Sequence, residues 1–115
     1  MRMNVKLWIS VALLVLSTGT ALAQRDLGTI TGTVTDPTGA VVPGATINIT
    51  EDATGLSYKV TTGASGDYTR PALKPGVYTV TAEAVGFRRI SQHNVNITAG
   101  ERTGVPLVLE VGDGG

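Results

Sequence analysis

TITGTVT at residues 29–35 and ATINIT at residues 45–50 are the two stretches that decide the fold. In the first, Ile30 and Val34 share one face with Gly32 between them, and threonines occupy the opposite face. In the second, three aliphatic residues alternate with threonine and asparagine. Successive side chains of a strand point to opposite faces, so this period of two predicts two strands that each bury one face.

The same period continues to the end of the chain. A third strand is predicted through Leu56, Tyr58 and Val60, and a short fourth through Tyr68 that ends near Pro71. A central fifth strand, a sixth and a seventh are predicted over residues 77–84, 87–98 and 102–111. Short strands separated by turn signals, without helical stretches, favour an all-β, seven-stranded, immunoglobulin-like sandwich.

The N-terminus has the order of an export signal. Basic residues precede a ten-residue apolar run, and small residues follow up to Ala23. As a helix, the run would rise about 15 Å, half of a bilayer core. We therefore expect residues 1–23 to be a cleavable signal peptide, residues 24–111 to be one domain, and residues 112–115 to be a flexible tail. No transmembrane span is expected in the mature chain, and no cysteine follows the run to carry a lipid anchor.

The charge balance and the cysteine count limit what the chain is expected to bind and how it is stabilised. Without Arg2 and Lys6, seven basic and nine acidic residues remain, a balance that gives no reason to bind nucleic acid. The chain has no cysteine, so an exported domain of this sequence must be held by its apolar core.

The order of these elements resembles a known family. GTITGTVTDPTGAVVPGATINIT, from residue 28 to 50, and TGASGDYTRPALKPGVYTVTAEAVGF, from 62 to 87, resemble the carboxypeptidase regulatory-like domain. The resemblance implies a transthyretin-like, Greek-key β-sandwich. Similar domains stand at the N-terminus of bacterial TonB-dependent outer-membrane receptors, and as accessory modules of secreted peptidases and surface proteins.

Residues capable of catalysis are few. A zinc peptidase site needs several histidine and carboxylate ligands, and this chain has the single histidine His93, expected to be solvated. Ser65 in GASGD lacks the strand-to-helix context of a nucleophile elbow and is interpreted as a turn. We expect no catalytic residues, no cofactor and no metal, and the residues of a binding site stay unknown.

The sequence contains two weaker candidate sites. Glu51 with Asp52, and Asp36 with Asp67, carry the oxygen ligands that calcium prefers, although turn capping is the favoured interpretation. An internal isopeptide bond would need a lysine, an asparagine and a buried acid together. The trio available for that bond is Lys59, Asn96 and Glu83, and its spacing does not favour one.

The remaining conspicuous residues have structural interpretations. Pro43-Gly44 and Pro75-Gly76 are expected to form turns that place the next strand. Tyr68 and Tyr78 are expected to point into the core, and Phe87 to plug one end of the sandwich.

Three functions follow as hypotheses. The first is a non-catalytic, exported interaction module of the bacterial cell envelope, periplasmic, outer-membrane associated or extracellular, that presents a sheet edge to an envelope protein. The second is a carbohydrate-binding module of a secreted enzyme system, although tryptophan is absent from the predicted mature chain. The third is a regulatory or folding-assisting subunit of a separate peptidase.

Overall fold

A computed structural model describes residues 27–112, which form two β-sheets packed face to face. One sheet has the order β4-β1-β7 with β8 also paired to β1, and the other has the order β3-β2-β5-β6. The strands are β1 Gly28–Thr35, β2 Thr46–Glu51, β3 Ser57–Thr61, β4 Asp67–Leu73, β5 Gly76–Glu83, β6 Ile90–Ile97, β7 Arg102–Gly104 and β8 Leu107–Val108. No helix in the described range is long and apolar enough to cross a membrane.

The apolar residues that alternate along the predicted strands form the core between the two sheets. Ile30, Val34, Ile47 and Ile49 are fully buried, and Val80 joins them from β5, which lies between β2 and β6 as expected for a central strand. Fully burying one such side chain contributes about 1.5–3 kcal/mol relative to leaving it in water. The all-β sandwich predicted from the sequence is confirmed.

Gly32 is needed in the middle of β1 because the core is tightest there. A Cβ atom at this position would clash with the carbonyl oxygen of Val105 and lie 2.8 Å from the ring of Tyr68. The Tyr68 hydroxyl donates a hydrogen bond to the same carbonyl oxygen. This contact therefore passes beneath β1 and connects β4 with the segment that follows β7.

Two edges differ from the predicted strands. The predicted seventh strand is two strands, β7 and β8, because Pro106 between them cannot donate to the ladder with β1. The described range therefore has eight strands where seven were predicted. Strand β4 continues through Pro71 to Leu73 rather than ending there, which an edge strand permits, and Ala72 has a positive φ of 62°.

Two strand starts are also corrected. Leu56 precedes β3 and is exposed, and Tyr58 and Val60 are half-buried because β3 is the edge of its sheet. The predicted sixth strand began at residue 87, whereas β6 begins at Ile90 and Phe87 forms an isolated bridge with Val111.

The register of β6 against β5 is interrupted. The pairs Val80 with Gln92 and Tyr78 with Val95 are separated by a shift that leaves an extra residue on β6. Asn94 lies in this bulge with a positive φ of 58°, a conformation that asparagine tolerates better than most residues. The bulge divides β6 into two short regular segments.

Candidate functional site

The carboxylates considered for calcium accept hydrogen bonds from nearby groups. Asp36 accepts from the backbone N–H groups of Thr38 and Ala40 and from the Thr38 hydroxyl at 2.6 Å. Those bonds, led by the one from the Thr38 hydroxyl, lower the pKa of the Asp36 carboxyl. Asp36 therefore caps the turn after β1, as the favoured interpretation predicted.

The other three acids also bond to threonine hydroxyls. Asp67 accepts from Thr33 at 2.7 Å, and Asp52 accepts from Thr79 at 2.9 Å. Glu51 accepts from the hydroxyl of Thr54. Within residues 27–112, no group of three or more histidine, aspartate or glutamate residues is placed to hold a metal ion.

The isopeptide trio is spread across one sheet. Lys59 lies on β3 and Asn96 on β6, the two outer strands of that sheet, and both are exposed. Three strand spacings separate them, which amounts to roughly 14 Å. Glu83 lies at the end of β5, where its carboxylate is 3.6 Å from Arg89. An internal bond between Lys59 and Asn96 therefore cannot form in this fold.

His93 and Ser65 occupy exposed positions. The Nδ1 atom of His93 lies 3.4 Å from the Thr79 hydroxyl on the outer face of the sheet. Ser65 lies in the turn before β4, in agreement with the interpretation of GASGD as a turn. Among residues 27–112, no group that would activate either side chain is hydrogen-bonded to it, apart from the contact of His93 with Thr79.

The two predicted core tyrosines are buried, each with its hydroxyl bonded to a backbone carbonyl. Tyr78 donates to the carbonyl oxygen of Lys74 at 2.7 Å, and Tyr68 donates to that of Val105. Burial raises the pKa of Tyr68 to about 12. Burial, and then the charge of Glu51, raise the pKa of Tyr78. Both phenols are therefore neutral core groups at neutral pH.

The two lateral sides of the sandwich are built differently. At the side where β3 lies over β4, the guanidinium of Arg70 stacks over the ring of Tyr58, 4.5 Å from its centroid. At the opposite side, β6 and the segment from β7 to Pro106 border a groove of about 520 Å³. Its lining residues are Gln92, Asn94, Val95, Asn96, Thr103, Gly104, Val105 and Pro106.

This groove was missed by the sequence interpretation, which left the binding residues unknown. Gln92 is the register partner of buried Val80, so it occupies an inward position of β6 and is nevertheless exposed. The sequence ISQHNVNI, residues 90–97, does not signal this, because alternation from Val95 and Ile97 places Gln92 on the opposite face and only the bulge at Asn94 turns it inward.

Residues 27–112 form two packed sheets and no helix, Tyr68 and Tyr78 lie in the core, and the acids bond within turns and strand pairs. This architecture is a β-sandwich of the transthyretin-like type. Residues 29–110 match the model of the carboxypeptidase regulatory-like domain, and the chain belongs to that family. The resemblance noted from the sequence motifs is thereby confirmed.

Comparison with individual proteins agrees with this family. Carboxypeptidase D of Anas platyrhynchos is 34% identical over 73 residues, which cover 64% of this chain and 5% of that protein. The chain thus corresponds to a small part of this relative's length.

Solved structures share the fold at low identity. The Bacillus anthracis TIE protein superposes with a TM-score of 0.64 at 20% identity, covering 75% of this chain and 17% of the other. Catechol 1,2-dioxygenase from Acinetobacter radioresistens gives a TM-score of 0.61 at 12% identity, covering 82% of this chain and 55% of the enzyme. At such identities the likeness concerns the fold alone.

Proposed function

We propose that this chain is a non-catalytic binding module of the bacterial cell envelope, exported by its N-terminal signal and similar to the N-terminal extension of TonB-dependent receptors. The charged, apolar and small-residue order of residues 1–23, which lie outside the described range, supports export. Membership of a regulatory-like family supports an accessory role beside a larger partner.

The unpaired edge of β6 is the observation that carries this proposal. Over eight residues β6 pairs with β5 on one side, and no strand of the described range pairs with its other side. An unpaired edge offers backbone donors and acceptors to an incoming chain. The tyrosine hydroxyls and the acids described above, in contrast, already have partners within the fold.

A peptidase partner is the second candidate, because the chain shares 34% identity with part of carboxypeptidase D. In that case the module would bind a separate peptidase and modify its folding or activity. The same unpaired edge would serve either partner.

Export and binding are tested separately. The full chain, with a C-terminal tag, is expressed in a bacterial host and each cell fraction is analysed by N-terminal sequencing. We expect the tagged protein in the periplasmic or outer-membrane fraction, with Gln24 as its first residue. A chain that stays in the cytoplasm with an intact N-terminus would contradict export.

Binding is tested with the secreted protein against envelope proteins and a polysaccharide panel in parallel. Capture of an envelope protein, lost on competition with untagged protein, is the expected result. Retention on a polysaccharide without protein capture would instead make the chain a carbohydrate-binding module. Co-purification with a peptidase, and a change in that peptidase's activity, would favour the second candidate.

A further inference from the structure

The groove beside β6 exists because the opposite sheet ends early. Within β6 the inward residues Val95 and Ile97 are buried, whereas the inward residue Gln92 is exposed. The facing strand β7 has three residues, and Pro106 interrupts the ladder before β8 begins. The inner face of the sheet at β6 is therefore covered at Val95 and Ile97, partly covered at Ile90, and open at Gln92.

Among the four sheet edges of the described range, β6 is the best suited to accept another strand. Edge strand β3 has five residues, and edge strand β4 contains Pro71 followed by Ala72 at positive φ. Strands β7 and β8 are short and are separated by Pro106. In contrast, β6 has eight residues and no proline. Its outward N–H and C=O groups lie in two short regular segments on either side of the bulge at Asn94, and β6 is the edge that borders the groove.

The bulge at Asn94 limits what can pair. A bulge increases the local twist and disrupts the ladder, so a long strand cannot follow the whole edge in one register. A short strand can pair with one regular segment while it covers the groove beside it. The bulge therefore disfavours extended edge-to-edge association of copies and leaves room for a short segment.

The lining of the groove indicates the chemistry of its occupant. None of its eight lining residues is charged or aromatic. Buried Val95 and Val105 provide apolar surface, and Gln92 and Thr103 provide hydrogen-bonding groups. A charged side chain would lose its hydration here without an opposite charge to compensate. Sugars are held mainly by stacking on aromatic rings together with polar groups, and this groove offers no ring.

We propose that the free edge of β6 and the adjoining groove bind a short, uncharged, extended peptide segment of a partner protein. The segment adds to the sheet beside β6 and places an apolar or small polar side chain in the groove between β6 and Thr103. This inference rests on the proposed binding function and names the kind of partner surface it takes.

Two neighbouring residues supply a matched pair of variants. Thr103 is the register partner of inward Ile30, so its side chain is on the groove side of β7. Arg102 pairs with Thr29 on the outer face, is exposed and does not line the groove. Thr103→Trp therefore fills the groove, whereas Arg102→Trp adds the same side chain to the opposite face.

The probe is a capped heptapeptide that alternates threonine with valine, titrated into the secreted, isotope-labelled protein and followed by amide NMR signals. We expect the largest shifts at residues 90–97 and at Thr103. A peptide methylated on alternate backbone nitrogens keeps its side chains but cannot pair along that edge, so it should not bind. Thr103→Trp should weaken binding by about tenfold or more, and Arg102→Trp should leave it unchanged.

Other outcomes would overturn the proposal. These are equal binding of the methylated peptide, shifts centred on β3 or β4, or no shift with this peptide or with alanine and leucine versions of it. Neutral oligosaccharides that bind wild type but not Thr103→Trp would make the groove a sugar site. Shifts at residues 90–97 that depend on protein concentration without peptide would assign the edge to a second copy. Peptide binding is independent of export, so failure of the envelope proposal leaves this test interpretable.

Discussion

The two lateral sides of the sandwich differ in the side chains that border them: one side is closed and the other is open. At the β3 and β4 side, Arg70 reaches across from one sheet to stack on Tyr58 of the other. At the β6 and β7 side, Gln92 and Thr103 are too short to close the space, and a groove of about 520 Å³ remains. Strand pairing extends to both sides, regular between β2 and β3 and with one register shift each in the β1–β4 and β5–β6 pairs.

The difference shows that closure of a side depends on the length of the side chains that border it as well as on how far the facing strand extends. A cation stacked on a ring is attracted to the ring face, and its long aliphatic stem covers apolar surface. Amide and hydroxyl side chains leave the inner face accessible and provide hydrogen-bonding groups. The open side therefore has the accessible inner face and the hydrogen-bonding groups that a binding site needs. The stack on the closed side joins the two sheets.

Gly32→Ala is expected to have the largest effect, because Gly32 lies above the contact that connects the two sides. The added methyl would clash with the Val105 carbonyl oxygen and the Tyr68 ring, so β4 or the segment after β7 must move. We expect a loss of about 3 kcal/mol in the free energy of unfolding. Urea unfolding measures this value directly.

Gly104→Ala is the control for that change. It adds the same methyl in a strand of the same sheet, where no atom lies within 4 Å. Its cost should be within about 0.5 kcal/mol of zero. Equal stability of Gly32→Ala and Gly104→Ala would contradict the tight contact beneath β1.

Alkaline pH is expected to weaken the same contact through Tyr68. Its pKa is 10.0 in the unfolded chain and is raised by burial to about 12 in the folded protein. Between these values the folded state holds more protons than the unfolded state, so stability falls as pH rises from 10 to 12. Tyr78 is shifted in the same direction, so Tyr68→Phe should remove only part of this fall.

At neutral pH, Tyr68→Phe leaves the Val105 carbonyl oxygen without its phenol donor. A buried acceptor that loses its partner costs about 1–2 kcal/mol. Unfolding curves of wild type and Tyr68→Phe, recorded at neutral pH and across pH 10–12, measure both quantities. Parallel pH profiles of the two proteins would show that another group causes the alkaline loss.

The sequence predicted the core better than the edges. Ile30, Ile47 and Val80 were placed inward because alternation reports which face of a strand is buried. The split at Pro106 and the continuation through Pro71 depend on whether a proline faces a paired neighbour, which is set by strand order and not by local sequence.

The groove is even harder to predict from the sequence than the strand edges, because residues far apart in the chain form it. Gln92 is exposed because β7 is short and β8 lies farther along β1, and no local pattern reports how far an opposite sheet extends. The stack of Arg70 on Tyr58 likewise joins two sheets through residues that are far apart in sequence.

The smallest expected effect concerns the closed side, and it is best measured as a coupling energy. Arg70→Met and Tyr58→Leu each remove one partner of the stack and retain apolar bulk. The Nε atom of Arg70 is buried without a hydrogen-bond partner in the described range, so Arg70→Met also relieves an unfavourable group. The single variant can therefore be nearly neutral even though the stack is favourable.

A double-mutant cycle separates these two contributions. The cost of burying Nε is common to both backgrounds and cancels, which leaves the interaction of the cation with the ring. We expect a coupling of about 0.5–1 kcal/mol from urea unfolding of the four proteins. Additive effects would mean that packing of the two side chains, rather than their mutual attraction, closes this side. The closed side and the open side would then differ in the length of their bordering side chains and not in an attraction between them.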